Sequence, residues 1–572
     1  IASAPIISDC DIFNNGDYAI SMYAHNVNQI GFVTITGNAK NSIRVWEGHV
    51  SDGTWANHDV PYVIDGNITV DDGQTLTIEP GTVLRFNGRY VFKVDGSLVA
   101  IGTEGNPIRF TSNKLVPAPG DWEQLYFNNS EFSTLINCNI SYGGSNTAAV
   151  NMLNSNPLFN QVFVISSATN GINLSNSSPE IINGWITESA GIGIISSFDS
   201  DPTLNSISIF ENGDYAISMY ADNIKNIIGD MEILLNGKNS IKVEDETVHT
   251  GTWLNHSGVH NVPYIIAGNI SVADGETLTL NPGVELRFNG DYVFEVNGAL
   301  VADGTEQFPI IFTSNKENPA PGDWRSLSFF NCDPGTLLDY CVIIYGGSNT
   351  AALNLSLSSF PISNSIVRFS EQRGINLSQS SPTIRGSVIR DNLGNGVHIM
   401  SGRPDLGNVK DFGRNAFLSN GGWEVYNNTP DTIYAQYNDW ESFDSLTIDT
   451  NNIFDDDENP SKGIVIFMPP QKVTDVKEIT ESEILKEFVV EQNYPNPFNP
   501  STKINFSIPK ESFVTLEVFN TLGERVGLLI SEELGSGTYR ADFSAISLTS
   551  GIYFYTLKAD DFAQTKKMIL IK

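Results

Sequence analysis

LTIEPGTVLRFNG, residues 76–88, returns almost unchanged as LTLNPGVELRFNG, residues 278–290. The pair belongs to a duplicated block of about 200 residues, and self-similarity at a fixed period marks a repeat architecture. NGDYAISMYA at Asn15–Ala24 recurs at Asn212–Ala221, and VPYVIDGNITV from Val60 recurs as VPYIIAGNISV from Val262. PAPGDW ends at Trp122 and again at Trp324, and YGGSNTAA begins at Tyr142 and again at Tyr345. The offset drifts only from 197 (Asn15 to Asn212) to 203 (Tyr142 to Tyr345), so insertions are few and belong in loops. A conspicuous one is HSGVHN, His256–Asn261, where the first block has only His58 and Asp59.

A shorter period runs inside each block. Prolines at 157, 179 and 202 are spaced by 22 and 23 residues, and those at 361, 382 and 404 by 21 and 22. Each lies in a Ser/Asn-rich turn and precedes a short alternating apolar segment, as in PEIINGWI, PTLNSISIF and PTIRGSVI. Three short strands joined by turns make one coil of this length. Such a coil cannot bury its own apolar face, so successive coils must stack. Alternation sends one side chain inward and the next outward. Proline lacks a donor and is tolerated at the corners of such a ladder, not inside it. No sustained 3.6-residue period exists, and Gly and Pro interrupt every helical window. The pattern predicts a β-solenoid.

Formal charge is −34, from 66 acidic against 32 basic residues. That balance argues against nucleic acid and anionic membrane surfaces as partners. No run of 18 apolar residues exists, so no transmembrane helix is expected. The sequence starts at Ile1 without a visible signal peptide and reads as processed or truncated. Four cysteines do not make a disulfide scaffold. Cys10 stands where Ile207 does in the duplicate, Cys138 matches Cys341, and both are expected to face the core; a bridge between Cys332 and Cys341 in an oxidising compartment is the alternative to free thiols.

The phrases LTIEPGTVLRF, LVAIGTEGNPIRFTS with PGDW, and LVADGTEQFPIIFTS with PGDW resemble the right-handed parallel β-helix family of exported bacterial proteins. The resemblance covers residues 1–470, with the duplicated blocks at about 13–209 and 210–420. YNDW (Tyr437–Trp440) followed by NIFDDDENPSKGIVIFMP resembles the way such helices finish. At about 22 residues per coil and about 4.8 Å per strand, the expected rod has roughly 20 coils and a length of about 100 Å. Residues 1–20 align with 198–217, so the chain is expected to open in mid-solenoid, with further coils upstream.

QKVTDVKEITESEILKE, residues 471–487, reads as a linker. From residue 488 to 572 alternating segments such as VTLEVFN, GTYRADFS and GIYFYTLKA predict a small antiparallel β-sandwich of the Ig-like kind. This tail resembles the type A C-terminal sorting domain of the type IX secretion system. The matching positions are NYPNPFNP with Asn496, Pro497, Phe498 and Asn499, then Leu522-Gly523, Gly537 and Tyr539, Gly551 and Tyr553, and the terminal Lys566-Lys567-Met568-Ile569-Leu570. The resemblance implies passage through the outer membrane of a Gram-negative bacterium by the type IX machinery. It further implies tethering to surface lipopolysaccharide, often with cleavage of the tail, hence an extracellular, cell-surface location.

Chemistry is less legible. Glycoside hydrolysis needs two carboxylates flanking a cleft. Asp121 and Asp323 of the two PGDW phrases read instead as turn aspartates beside a packed Trp, and Arg85 with its twin Arg287 reads as architectural. His249, His256 and His260 lack the third and fourth ligands a zinc site requires. The acidic loop DDDENPSKG offers Asp455, Asp457 and Asn459 as alternating oxygen ligands for calcium; a solvated acidic turn is the alternative. Trp55 and Trp253, repeated with the block, and Trp423 and Trp440 near the solenoid end are candidate sugar-stacking rings; packing is the alternative for each. No catalytic residue stands out and no cofactor beyond calcium is suggested. The expected function is an exported, non-catalytic surface rod that binds polysaccharide, a neighbouring cell or itself, or serves a structural role. A polysaccharide lyase or glycoside hydrolase of the β-helix class is the alternative. Several carboxylates and a basic residue on adjacent coils, in one block only, favour the enzyme; identical outward residues in both blocks favour binding.

Overall fold

The computed structural model describes residues 5–256, 262–473, 489–490, 493, 496–508, 512–521, 523–535, 537–546, 548–560 and 562–570. His260 in the inserted loop, linker residues 474–487, and Tyr494, Pro495 and Leu522 of the tail lie outside the described residues. The chain divides into two compact units, Ile1–Val473 and Thr474–Lys572.

The first unit is a parallel β-solenoid of about 18 turns. One coil runs through strands Thr75–Ile78, Val83–Phe86 and Val91–Val94, and the next through Ser97–Ile101, Ile108–Ser112 and Gln124–Asn128. Each strand lies parallel on its counterpart, with Leu76 beside Leu98, Leu84 beside Phe110 and Phe92 beside Leu125. These six residues are inward and 0% exposed, so alternation within strands and equal coil length together give continuous apolar columns. The corners use residues that tolerate a left-handed backbone. Asn129, Asn154 and Asn176 have φ of 57°, 50° and 46°, a conformation Asn adopts at lower cost than most residues. Buried serines then close the turns: the Ser130 amide donates to Ser155 Oγ at 2.9 Å, that of Ser155 to Ser177 Oγ at 3.1 Å, and that of Ser177 to Ser200 Oγ at 3.0 Å.

The two blocks are not stacked face on face. The inward column of Leu84 passes through Phe110, Ile140, Val164, Ile186 and Ile209 and ends at Ile233. Its duplicate, Leu286, lies in a different column, reached from Phe92 through Leu125, Val150, Ile172, Ile194, Ile217, Ile241 and Tyr264. The second block is therefore turned by one sheet relative to the first. Duplicated outward residues point in different directions, and the copies do not lengthen a common face.

All four cysteines are free thiols. Cys138 and Cys341 are buried in the core, whereas Cys10 is exposed, contrary to expectation. Among the described residues the strand Cys10–Ile12 pairs with Val33–Ile35 alone, so Cys10 stands in register with the inward Val33 but is covered from that side only.

The second unit is antiparallel. Val489–Val490, Ser501–Ile508 and Gly537–Ser544 form one sheet; Arg525–Leu534, Ser512–Asn520, Gly551–Ala559 and Phe562–Leu570 form the other. Val514, Leu516, Val518, Tyr555, Leu557 and Met568 are in its core.

Candidate functional site

The candidate tryptophans divide by burial. Trp55 and Trp253 are 0% exposed and Trp440 is 1% exposed, so none offers a ring face to a ligand and the sugar-stacking reading fails for them. Trp55 packs on Tyr62 and Phe92, and its twin Trp253 on Tyr264 and Phe294. Trp440 packs on Phe417. Trp423 is half-buried, edge-on to Phe454. Repetition of Trp55 thus reflects a repeated core. The PGDW corners are structural in the same sense. Asp121 is buried and accepts hydrogen bonds from Ser112 Oγ at 2.6 Å, the Ala118 amide at 2.9 Å and Lys114 Nζ at 2.6 Å. Asp323 repeats this with Ser314, Ala320 and Lys316 at 2.7, 2.9 and 2.6 Å. Burial pushes the Asp121 carboxyl up, but the bonds from Lys114, Ser112 and Ala118 outweigh it and hold it below the usual range. Beside each aspartate a buried indole stacks on a phenylalanine, Trp122 on Phe86 at 4.1 Å and Trp324 on Phe288 at 4.2 Å.

Of the acidic loop, Asp455 and Asp457 come together, but Asn459 does not join them. Its side-chain oxygen accepts from the Ser461 amide at 3.1 Å and hydroxyl at 2.8 Å, closing a local turn. The third carboxylate is Asp449, from the helix Ser445–Asn452, and one oxygen from each of the three lies within 4.8 Å of the others. Burial, then the hydrogen bond and charge of Asp457, push the Asp449 carboxyl up to about 6. Three carboxylate oxygens at this separation suit a hard cation such as calcium. Of the candidate histidines that are described, His249 bonds to Asp222 at 3.0 Å and His256 is buried against Tyr264.

A cleft that motif reading missed lies on the first block. It has a volume of about 640 Å³ and is lined by Asp71, Asp72, Asp95, Asn128 and Asn129. These residues lie at or just beyond the ends of three stacked strands, Tyr62–Val70, Val91–Val94 and Gln124–Asn128. His49 Nδ1 lies 2.5 Å from Asp71, and Lys93 Nζ 2.8 Å from Asp95. Asn128 Nδ2 donates to Asp95 at 2.6 Å, and the Tyr126 hydroxyl donates to Asn128 at 3.3 Å. From the cleft two amide ladders run across successive coils. Asn154 donates to Asn129 at 2.9 Å and Asn176 to Asn154 at 2.7 Å; on the adjoining strand face Asn173 donates to Asn151 at 3.0 Å. In the second block the corresponding residues are Ala273 for Asp71, Asn297 for Asp95, Phe330 for Asn128 and Leu357 for Asn154. The signal in the sequence was this divergence between otherwise matching copies, not a motif.

In the tail Asn496 and Phe498 meet the terminal strand. Asn496 Oδ1 accepts from the Ile569 amide at 2.8 Å, the Phe498 amide donates to the Ile569 carbonyl at 2.9 Å, and Phe498 is buried. Tyr539 stacks on Phe506, and its hydroxyl donates to the Gly535 carbonyl; that of Tyr553 donates to the Thr549 carbonyl. Pro497, Asn499 and Lys567 are exposed and Lys566 half-buried, while Gly551 pairs with Leu570 at the edge of the four-stranded sheet. Gly537 opens the strand that pairs with Ser501–Ile508.

Residues 492–572 match the family model of the secretion system C-terminal sorting domain. Residues 48–151 and 254–349 match that of the pectate-lyase-like β-helix domain. No curated protein matches the chain. Among solved structures, the tailspike protein of the E. coli bacteriophage HK620 in complex with pentasaccharide is 12% identical over 88% of this chain and 86% of that one, with a TM-score of 0.20. A double mutant of the same tailspike is 10% identical over 94% and 86%, also with a TM-score of 0.20. Superpositions this weak carry no argument about ligand or mechanism. No described helix is long and apolar enough to cross a membrane. The chain is a parallel β-solenoid protein with pectate-lyase-like β-helix repeats and a type IX secretion C-terminal sorting domain, which directs it out of the cell to the surface.

Proposed function

We propose that this protein is a non-catalytic glycan-binding rod, with residues 1–470 as the displayed solenoid, 471–487 as a spacer and 488–572 as the sorting module that leaves it tethered to lipopolysaccharide on a Gram-negative outer membrane. The observation that carries the reading is the cleft of Asp71, Asp72, Asp95, Asn128 and Asn129 continuing into outward amide ladders. Carboxylates and amides on successive coils, about 4.8 Å apart, give repeated acceptors and donors for the hydroxyls of an extended chain. The net charge of −34 disfavours polyanionic glycans, so the expected ligand is neutral.

A second reading, a polysaccharide lyase or hydrolase, draws support from the same cleft: it gathers several carboxylates with Lys93 and His49, and the second block has Ala273 and Asn297 in place of Asp71 and Asp95. Against it, Asp71 and Asp95 are already engaged by His49, Lys93 and Asn128. Incubating the secreted full-length chain with a glycan array, and in parallel assaying reducing ends and unsaturated uronates, separates the two. Binding without turnover, weakened in Asp95→Ala and Asn128→Ala, is expected; turnover of any glycan, lost in Asp95→Ala, transfers the conclusion to the enzyme. Calcium at Asp449, Asp455 and Asp457 is proposed as a structural ion closing the end of the solenoid.

A further inference from the structure

We propose that a second, independent glycan subsite exists on another face of the first block: a notch formed by Trp185, Ser208, Phe210 and Glu232 that takes one pyranose ring of a neutral polysaccharide. It shares its ligand class with the proposed function and uses none of the cleft residues.

Phe163, Trp185, Ser208 and Glu232 occupy one outward column on four successive strands. The rings of Phe163 and Trp185 stack at 4.8 Å with 24° between their planes. That distance equals the spacing of strands, about 4.8 Å, so the indole stands up from the sheet with its faces directed along the column. Phe163 covers one face. The other looks across Ser208, whose side chain ends at a single hydroxyl. Phe210, from the adjoining column, meets the indole edge-on at 6.2 Å and floors the gap. The far wall is Glu232, exposed, with its carboxylate accepting from Ser208 Oγ at 3.2 Å. Trp185 is 43% exposed.

The two walls differ in chemistry, and this difference selects the occupant. An aromatic face packs against the C–H face of a pyranose, while a carboxylate and the hydroxyl bonded to it accept from the hydroxyls at the ring's edge. An apolar peptide side chain would desolvate the Glu232 carboxylate and leave it with Ser208 Oγ alone to bond it. A second copy of this chain brings a charge of −34 against the same sign, and an acidic glycan is repelled likewise.

The duplication supplies an internal control. The equivalent column of the second block reads Ile366, Val388, Ala416 and Asp439. Val388 is only 5% exposed. The same ladder therefore closes with aliphatic side chains, and coil geometry does not require two stacked rings at 163 and 185.

The test is affinity electrophoresis of the full-length chain through gels containing β-glucan, xylan, mannan or arabinogalactan, comparing wild type with Trp185→Ala, Ser208→Arg and Asp95→Ala. Ser208→Arg fills the notch and leaves the indole in place. Retardation of the wild type by at least one of these polymers is expected, with affinity reduced at least about tenfold in both Trp185→Ala and Ser208→Arg, the size expected for truncating a Trp anchor. Melting temperature should be unchanged, because both positions are outward. Asp95→Ala reports on the cleft alone, so the two sites can fail separately. The proposal is overturned if no polymer retards the wild type, if either notch variant binds as wild type does, or if Trp185→Ala changes only self-association in sedimentation.

Discussion

Replacing Asp121 by alanine should open one corner of the solenoid without unfolding the rest. The carboxylate is 7% exposed and is the shared acceptor for Ser112 Oγ, the Ala118 amide and Lys114 Nζ. Hydrogen bonds to a charged acceptor contribute about 1.5–3 kcal/mol each, and removing it also strands its buried donors. The Lys114 side chain is 65% exposed, so its share is small, within about 1 kcal/mol. The two neutral donors then set the cost of Asp121→Ala at about 3–6 kcal/mol, and Asp121→Asn, which keeps one oxygen, costs about half of that. Solenoids open coil by coil, so the readout should be local: hydrogen exchange by mass spectrometry in the peptide spanning 109–128. Protection there should fall at least about a hundredfold in Asp121→Ala. Asp323→Ala should produce the same loss around residues 311–330, and the double variant the sum, because the corners share no partner. The Asp121 carboxyl is held below its ordinary value; its contribution is complete above the unfolded carboxylate range near pH 4 and is lost as pH falls through the folded value. A loss of protection below threefold, or a loss at one corner and not at its twin, would refute the reasoning that these aspartates tie the corners.

Glu424 is buried, which pushes its carboxyl up to about 7 from 4.5; the folded state holds the proton more tightly, so stability should fall as pH rises from 4.5 to 7. At about 1.4 kcal/mol per pH unit the span is about 3 kcal/mol, and Glu424→Gln should flatten that slope in urea titrations between pH 4 and 8. Calcium should raise the melting temperature of the wild type over an EGTA control, and Asp455→Asn with Asp457→Asn should abolish the increment; equal melting in both media removes the ion from the proposal. Deleting residues 488–572 should leave the solenoid folded by circular dichroism yet retained inside the cell by immunoblot of culture fractions, whereas normal surface display of the truncated chain would contradict the role of the tail.

The duplication and the proline ladder made the solenoid legible, because coil length is a one-dimensional property: a turn every 21 to 23 residues and alternation between them fix which side chains point inward. The tail was legible for a similar reason, its motif residues Asn496 and Phe498 being tied by hydrogen bonds to the final strand at Ile569. The structural role of Asp121 and Asp323 was readable from their turns. The sites were not. Trp55 and Trp185 are both tryptophans in short strands, and only the side of the strand each one faces makes one a core residue and the other a surface ring. Asp449 joins Asp455 and Asp457 through a helix that brings it back across the turn, in place of the nearer Asn459. The cleft joins residues from Asp71 to Asn129, a separation spanned by three coils and invisible to local patterns.

The sequence by itself therefore determined that the chain is a repeat solenoid with an export module, since both follow from periodicity and local motif. Only the tertiary structure decided how the copies face. Registers between strands show the second block turned by one sheet, so that Leu286 continues the column of Phe92 and not that of its own twin, Leu84. That turn depends on which strand ends at the junction, a matter of long-range pairing energy, and it sends equal residues of the two blocks toward different surroundings.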